Sequence, residues 1–335
     1  MSAAVRFAVL GDSLSEGLGD PVPGGWRGWG VLLAEGITDD PAGVDVLNCA
    51  RSGARSTDVA GSQLAAALAH RPQVATVLVG GNDTLRGTFS LPRVAADLHT
   101  AIGTLRESGA VVLTACLPDP GAVLGLPWPL ARPLGRRMDA LNTVVHALSD
   151  HHGAVHLHAA EHPWSSTPGT LSADRLHPSE KGHRMLAHAF HLLLVQQGLA
   201  NGPAPRLTPD QPPPGRGASV WWMATRGTRW VVERSTDLLP DLLRLAAEEY
   251  RHRRRGTAAL LDLAARAETD RALAVLGARA PGAADRPRGA APAAGYPREP
   301  AGSGLPRSGT KRTGVPGGAC AAAARASSGT TPTTG

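Results

Sequence analysis

The chain has 335 residues, of which 42% are hydrophobic and 19% are charged. This length and apolar fraction suit a soluble globular protein with a sizeable core, and no apolar run approaches the ~20 residues of a membrane-spanning helix. The net charge of +6 is unevenly distributed, since residues 1–200 carry 14 Lys and Arg against 17 Asp and Glu, whereas residues 201–335 carry 20 against 11. The basic character therefore belongs to the C-terminal part, while twelve of the thirteen histidines lie in the first 200 residues.

The N-terminus and the cysteines both favour the cytoplasm. Residues 1–6 lead directly into a short apolar run, without the basic segment, long apolar stretch and cleavage site of a secretory signal. Cys49, Cys116 and Cys320 form no closely spaced motif, so the sequence predicts neither a disulfide framework nor metal binding by cysteine.

Short apolar runs alternate with helical patterns along the first 200 residues. Mostly β-branched or aliphatic runs predict five buried strands at residues 5–10, 44–47, 74–79, 111–116 and 154–157. Helical spacing is found for Val59, Leu64 and Leu68, for Val94, Leu98, Ile102 and Leu105, and for Leu186, Phe190 and Leu193. This alternation predicts an α/β fold with a parallel sheet covered on both faces and a ligand site beyond the carboxyl ends of its strands.

The remaining residues have a different composition. Residues 201–217 are Pro-rich and predict a stiff linker, and residues 218–280 predict a basic helical appendage. One helix face of the appendage carries Leu239, Leu242, Leu243, Ala246 and Tyr250. Residues 251–256 are a basic run followed by Gly and predict the helix end. Residues 281–335 almost lack large apolar side chains, so we expect a disordered tail.

Two segments supply a nucleophile and a base. The first predicted strand runs into Gly11-Asp12-Ser13, which places Ser13 at the carboxyl end of the strand. A serine hydroxyl is a weak nucleophile until a neighbouring base removes its proton, and His177 is the predicted base. Asp174 precedes His177 by three residues on a turn, close enough to hold one ring nitrogen and stabilise the imidazolium. We therefore predict that Ser13, Asp174 and His177 are catalytic.

Two further strand ends offer hydrogen-bond donors for an oxyanion. Gly53 follows the second strand, where its backbone N–H is unobstructed, and Asn82 follows the third strand in Gly-Gly-Asn-Asp. The backbone N–H of Ser13 is a third donor. Such donors commonly contribute about 3–4 kcal/mol each to transition-state stabilisation. The predicted oxyanion hole is thus formed by Ser13, Gly53 and Asn82.

Taken together, these segments resemble the conserved blocks of the GDSL, or SGNH, hydrolase superfamily over residues 4–200. The matching positions are the Ser of Gly-Asp-Ser (Ser13), the Gly of the second block (Gly53), the Asn of Gly-x-Asn-Asp (Asn82) and the His of Asp-x-x-His (His177). The resemblance implies a flavodoxin-like three-layer αβα sandwich and metal-free hydrolysis of esters, thioesters or acetylated sugars. One departure is Arg175-Leu176, which replaces the Gly-containing pair often found between the Asp and the His.

Other polar clusters are assigned to structure. The histidines at 151, 152, 156, 158 and 162 have neither a carboxylate nor a cysteine at ligand spacing, so a solvated helix end and strand edge are favoured over a metal site. Asp83 is expected to bind backbone amides near the site, and His183 to line the last helix of this region. Trp26 and Trp29 are expected to pack rather than to wall an acyl pocket. No cofactor is predicted, and a nucleotide site is disfavoured because no Gly-rich phosphate motif follows a strand.

The appendage leaves two interpretations open. Residues 220–234 mix aromatic and basic side chains, a composition suited either to an anionic partner, which is a membrane surface or nucleic-acid phosphates, or to aromatic side chains that dock on the first domain or self-associate. We expect docking, keep membrane contact through residues 218–255 as the alternative, and expect no nucleic-acid partner. The chain is accordingly predicted to be a serine ester hydrolase acting on small-molecule, lipid or sugar esters. The competing hypothesis is a catalytically idle sandwich whose basic C-terminal part binds a membrane surface or a polyanion.

Overall fold

The computed structural model describes residues 3–40, 42–210, 217 and 238–277. Its strands in chain order are β1 (Val5–Gly11), β2 (Pro21–Val22), β3 (Gly25–Trp26), β4 (Val44–Asn48), β5 (Val74–Leu78), β6 (Val111–Ala115) and β7 (Val155–Leu157). Strands β2 and β3 form a separate two-stranded antiparallel ribbon. The other five strands form the central sheet.

The central sheet has the order β4-β1-β5-β6-β7, and every pair in it is parallel. Counted along the chain, this is the second-first-third-fourth-fifth order of a flavodoxin-like, doubly wound sheet. The predicted fold class and the five strand positions are confirmed. Strand order reverses at β1, so the carboxyl end of β1 lies between those of β4 and β5, where such folds bind ligands.

Helices cover the sheet on both faces. They are α1 (Ser13–Glu16), α2 (Gly28–Ile37), α3 (Ser56–Asp58), a π-helix (Val59–Gln63), α4 (Leu64–His70), α5 (Gly81–Thr84), α6 (Leu91–Glu107), α7 (Pro120–Val123), α8 (Trp128–His152), a 3₁₀ turn (Pro163–Ser165), α9 (Glu180–Gln196), α10 (Leu239–Arg254) and α11 (Ala258–Val275).

Alternation along β1 divides the core between the two faces. Ala8 and Leu10 join a buried cluster with the apolar faces of α6 and α8, whereas Val9 contacts Gly30 of α2 on the opposite face. On that face α2 packs against α9, and Trp29 of α2 stacks on Phe190 of α9 with ring centroids 4.9 Å apart. The result is a three-layer αβα sandwich in which β1 is buried on both faces.

The two C-terminal helices pack on α6 and α8. Ala272 and Leu273 of α11 are buried and join the core cluster that contains α6 and α8. In α10 the predicted apolar face is only partly covered, because Leu242 and Ala246 are half-buried whereas Leu243 remains 56% exposed. Glu249 of the same helix is 1% exposed, and its Oε2 lies 3.0 Å from Arg136 of α8.

Several sequence expectations lie wholly or partly outside the described residues. These are the remainder of the linker at 211–216, the aromatic and basic segment at 220–234, and the tail at 281–335. Residues 201–210 are described and contain no helix or strand; Asn201 Nδ2 donates to Asp39 Oδ1 at 2.9 Å. Among the helices that the structure describes, none combines the length and apolar character needed to cross a bilayer.

Candidate active site

Ser13 begins α1 directly after β1 ends. The turn between them requires Gly11, because its φ is +152° and a Cβ there would lie 2.3 Å from the carbonyl oxygen of Leu78. Gln63 fixes the same peptide, accepting from the Gly11 N–H at 2.8 Å and donating to the Gly11 carbonyl at 2.9 Å. Asp12 caps α1 by accepting from the Leu14 N–H at 3.1 Å. The serine is thus held at the carboxyl edge of the sheet by a rigid turn.

The structure brings Ser13, His177 and Asp174 together in a hydrogen-bonded chain. Ser13 Oγ lies 2.7 Å from Nε2 of His177, and Nδ1 of His177 lies 2.6 Å from Oδ2 of Asp174. The other carboxylate oxygen of Asp174 accepts from the backbone N–H groups of Leu176 at 2.9 Å and His177 at 3.0 Å, and from the hydroxyl of Ser172 at 2.7 Å. Both oxygens of Asp174 are therefore engaged, which fixes the carboxylate and the imidazole relative to each other.

The same contacts keep Asp174 ionised. Burial would by itself raise the pKa of Asp174, but the hydrogen bond from His177, the charge of His177 and the hydrogen bond from Ser172 outweigh it and lower the pKa to about 2. Arg175 lies in the left-handed region with φ +57°, which is uncommon for a residue other than glycine, and the contact between Asp174 and His177 is nonetheless formed. The departure noted in the sequence thus leaves the Asp–His geometry intact.

Gly19 sets the distance between the serine turn and the histidine loop. Its φ is +100°, and a Cβ there would lie 1.9 Å from the carbonyl oxygen of Pro178, the residue that follows His177. We expect Gly19→Ala to push the histidine loop away from Ser13 and to lower kcat/KM at least tenfold, since misplacement by ~1 Å can cost 10²-fold. Gly24→Ala is the matched control, because Gly24 has a similar φ of +88° with nothing within 4 Å of the added Cβ. Equal activity of the two variants, measured in steady-state assays, would contradict this role of Gly19.

The predicted oxyanion donors Gly53, through its backbone N–H, and Asn82, through its side-chain amide, also lie at the site. Gly53 and Asn82 line the same pocket as Ser13 and His177. The side-chain amide of Asn82 donates to the carbonyl of Ala54 at 3.1 Å and makes a longer contact, 3.4 Å, with Oδ2 of Asp12. The structure therefore brings together every residue that the sequence assigned to the catalytic set and the oxyanion hole.

Sequence reasoning missed a residue that positions the Gly53 loop. Glu16 of α1 accepts from the Ser52 N–H at 2.7 Å and from the Ser52 hydroxyl. This ties the loop carrying Gly53 to the helix that Ser13 begins. The spacing of three residues between Ser13 and Glu16 could have indicated this role, because side chains three residues apart project from the same side of a helix.

Asp83 and His183, which the sequence assigned to structure, are held by hydrogen bonds. Asp83 accepts from the Ser56 N–H at 3.1 Å and from its hydroxyl at 2.9 Å. His183 is fully buried, accepts from the Trp29 N–H through Nδ1 at 3.2 Å and bonds the Leu18 carbonyl through Nε2 at 2.9 Å. Trp29 is buried in the core, whereas Trp26 is 42% exposed.

Asp12 is a buried carboxyl group beside the serine. Burial raises the pKa of Asp12 to about 6, although the Leu14 N–H and the charge of His177 act in the opposite direction. An acid whose pKa is raised by folding destabilises the folded state once the pH exceeds the unfolded pKa. Between about pH 4 and pH 6, the Asp12 contribution to the free energy of unfolding therefore falls as the pH rises.

Replacing Asp12 with Asn is expected to remove this dependence. Raising the pKa of Asp12 from about 4 to about 6 costs the folded state roughly 3 kcal/mol at neutral pH. The free energy of unfolding of Asp12→Asn, relative to that of the wild type, should therefore be higher by about this amount at pH 7.5 than at pH 4. Urea unfolding at both pH values measures the difference. A stability difference between Asp12→Asn and the wild type that is the same at both pH values would show that burial does not raise the pKa of Asp12.

A pocket of about 170 Å³ opens beside Ser13 and His177. Its walls are mostly apolar and include Leu85, Leu117, Pro118, Val123, Met138 and Trp164. Leu117 is held in place by Asn142, which accepts from its N–H and donates to its carbonyl, both at 2.8 Å. Leu238, immediately before α10, also lines the pocket, so the C-terminal part contributes to the walls of the site.

The histidines form two clusters in the structure. Cys116, His146, His156 and His158 place one donor atom each within 4.8 Å of one another, and a second cluster contains His99, His151 and His152. In the second cluster His152 Nε2 lies 3.0 Å from His99 Nδ1, which pairs two of its members by a hydrogen bond. Sequence reasoning compared the histidines only with their neighbours along the chain, so it did not find the cysteine of the first cluster.

The protein is a doubly wound α/β domain in which a serine follows the first strand and is hydrogen-bonded through a histidine to an aspartate. The chain belongs to the GDSL-like lipase/acylhydrolase family, whose model matches residues 9–185. This match confirms the family that the sequence motifs indicated.

Individual relatives agree with the family. A GDSL-like esterase of Mycobacterium tuberculosis is 28% identical over 203 residues, which cover 57% of this chain and 62% of that protein. An arylesterase of Vibrio mimicus is 32% identical over 115 residues, covering 33% of this chain and 54% of that protein. The chain thus spans less than two thirds of the length of either curated relative.

A solved structure of an acetylxylan esterase from Geobacillus stearothermophilus matches with a TM-score of 0.46 and 20% identity, over 57% of this chain and 94% of that one.

Proposed function

We propose that the protein hydrolyses carboxylic esters through an acyl-enzyme, with Ser13 as nucleophile and His177 as general base. The observation that carries this proposal is the 2.7 Å contact between Ser13 Oγ and Nε2 of His177, continued at 2.6 Å from Nδ1 to Asp174. Nucleophile, base and orienting carboxylate in this sequence are the arrangement that acyl transfer requires.

In acylation a bond forms between Ser13 Oγ and the acyl carbon, the ester C–O bond breaks, and the serine proton passes through His177 to the alcohol. Ser13 Oγ attacks the ester carbonyl while its proton passes to Nε2 of His177, and the ionised Asp174 stabilises the imidazolium. The tetrahedral intermediate then expels the alcohol, which takes the proton from His177, and the acyl group remains on Ser13. Deacylation repeats these steps with water in place of the serine hydroxyl, releasing the carboxylic acid.

The Ser13 N–H, the Gly53 N–H and the Asn82 side chain hold the oxyanion. The contact between Asn82 and Asp12 is long at 3.4 Å, so the amide gives it up readily when a negatively charged oxygen offers a stronger hydrogen bond. Glu16 supports this step indirectly, because it holds the Ser52 N–H and thereby orients the peptide of Gly53.

The substrate class we propose is a small ester with a short apolar acyl group. The apolar walls and limited volume of the pocket favour such a group, and a GDSL-like esterase and an arylesterase are among the relatives. The idle-sandwich alternative gains no support from the comparisons.

A series of chromogenic esters of increasing acyl length tests this assignment. Each methylene that the pocket accommodates contributes about 0.8 kcal/mol, so kcat/KM should rise about fourfold per methylene and then stop rising once the pocket is full. Leu238→Ala should move the optimum to a longer chain, whereas Leu239→Ala, at a neighbouring side chain that is 48% exposed, should not. A folded protein that hydrolyses none of these esters would contradict the proposed substrate class.

A further inference from the structure

One cluster of donor groups, from the buried Cys116 to the exposed His158, lies outside the serine site. His156 belongs to β7 and His158 follows it two positions later, so both side chains project from the same face of the sheet. Cys116 directly follows the neighbouring strand β6, and His146 lies on α8, which packs on β6 and β7. Four side chains from three elements therefore converge at the edge of the sheet.

The three imidazole rings face one another closely. The ring centroid of His146 lies 4.3 Å from that of His156 and 4.9 Å from that of His158. The centroids of His156 and His158 are 5.0 Å apart. The interplanar angles are 68°, 79° and 81°. Rings set nearly perpendicular to one another can each direct a nitrogen towards a common point, as ligands of a tetrahedral ion do.

His156 is held as metal-bound histidines are held. Its Nδ1 lies 3.0 Å from the hydroxyl of Thr114 and 3.2 Å from that of Ser149, while Nε2 is buried and has no hydrogen-bond partner within the described part of the chain. An outer-shell partner on one nitrogen fixes the ring and leaves the other nitrogen for the ion.

Cys116 lies at the buried end of the cluster. Its Sγ accepts a hydrogen bond from the Ala160 N–H at 3.3 Å and lies 3.8 Å from the Leu157 carbonyl, so backbone groups hold the sulfur in place. The side chain is buried, whereas His158 is exposed, so the cluster is protected on one side and open to an incoming ion on the other.

We propose that Cys116, His146, His156 and His158 bind one Zn²⁺ ion in tetrahedral geometry, although the sequence alone predicted no metal at these histidines. One thiolate and three imidazoles are a donor set suited to Zn²⁺, with the Cys116 proton released to solvent on binding. At ordinary Zn–N and Zn–S bond lengths the donors of such a site lie about 3.3–3.6 Å apart. The observed limit of 4.8 Å requires only small side-chain rotations.

The site lies behind the pocket wall. Cys116 precedes Leu117 and Pro118, which line the pocket, and the carbonyl of Ala159 accepts from Trp164 Nε1 at 2.8 Å on another part of that wall. A metal that joins the ends of β6 and β7 to α8 would therefore stabilise the pocket from outside the serine site. The role is structural, and it does not depend on the proposed esterase mechanism.

Cobalt titration of tag-free, metal-free full-length protein tests the site, because Co²⁺ substitutes for Zn²⁺ and absorbs visible light. We expect one equivalent of Co²⁺ to give intense tetrahedral d–d bands and a thiolate-to-cobalt charge-transfer band. One equivalent of Zn²⁺ should displace the Co²⁺ and raise the midpoint of thermal unfolding.

Three variants make the assignment specific. Cys116→Ala should abolish the charge-transfer band. His158→Gln, at an exposed position where folding is preserved, should weaken Co²⁺ binding at least tenfold. His151→Gln, in the second histidine cluster, should leave the spectrum unchanged. Absence of tetrahedral bands in the wild type, a charge-transfer band that survives in Cys116→Ala, or loss of the spectrum in His151→Gln would each overturn the proposal.

Discussion

Ser13→Ala is expected to lower kcat on a short-chain chromogenic ester at least ~10⁴-fold, while the protein remains folded. The hydroxyl 2.7 Å from His177 Nε2 is the only group that the proposed mechanism uses to form the acyl-enzyme. Residues that act as one catalytic unit lose nearly the whole effect when one member is removed, leaving the contribution of the oxyanion donors and of binding. The measurement is steady-state turnover, with circular dichroism to verify the fold.

Ser15→Ala is the matched control for this variant. Ser15 lies on the same short helix, is 1% exposed, and its hydroxyl has no hydrogen-bond partner within the described residues. Removing an unsatisfied buried hydroxyl should leave activity within about twofold and stability unchanged or slightly higher. Undiminished turnover by Ser13→Ala would refute the nucleophile assignment.

Asp174→Asn should reduce kcat about 10⁴-fold with little change in KM. In the variant, the side-chain carbonyl can replace the oxygen that accepts from Ser172, Leu176 and His177, which leaves the NH₂ group facing His177 Nδ1. A donor there forces the proton of the neutral ring onto Nε2, and His177 can then no longer accept the proton of Ser13. The geometry would survive while the base is lost.

Ser172→Ala separates the tautomer effect from simple loosening of the carboxylate. It removes one of three donors to the same oxygen of Asp174 and leaves the contact with Nδ1 in place, so we expect less than a tenfold fall in kcat. Comparable losses in the two variants would mean that Asp174 acts only by anchoring the loop, and the account of the tautomer would then be wrong.

The fold was largely predictable because its strands are short, buried and β-branched. Strand β5 is buried at every position and is a short apolar run interrupted only by Thr76, whereas α8 was not predicted as a helix. Pro133 lies inside α8, and Arg132 and Arg136 of this helix pair with Glu249 and Asp262 of the C-terminal helices. The buried Leu134, Leu141 and Leu148 recur on one helix face and α8 packs on α6 and β6, so a helical pattern was present in the sequence.

The candidate site was predictable where chain position fixes geometry. Ser13, Gly53 and Asn82 follow β1, β4 and β5, which are neighbours in the sheet, so their convergence follows from the parallel order. The contribution of Leu238 to the pocket depends on how α10 packs, and no local pattern encodes it.

The supporting residues were less predictable because they act over long sequence separations. Gln63 lies 52 residues from Gly11, and Cys116 lies 30 to 42 residues from the histidines of its cluster. Side-chain pairs of this kind depend on the register between strands and helices, and a single sequence does not show that register.

Covalent labelling by a fluorophosphonate tests the central claim most directly, because the reagent reacts with a serine only when a neighbouring base activates it. We expect a single adduct on the peptide that contains Ser13, strongly slowed labelling in His177→Gln, and none at that peptide in Ser13→Ala. A wild-type protein that stays unlabelled at Ser13, or that is labelled equally fast in His177→Gln, would contradict an imidazole and a hydroxyl sharing a proton at this edge of the sheet.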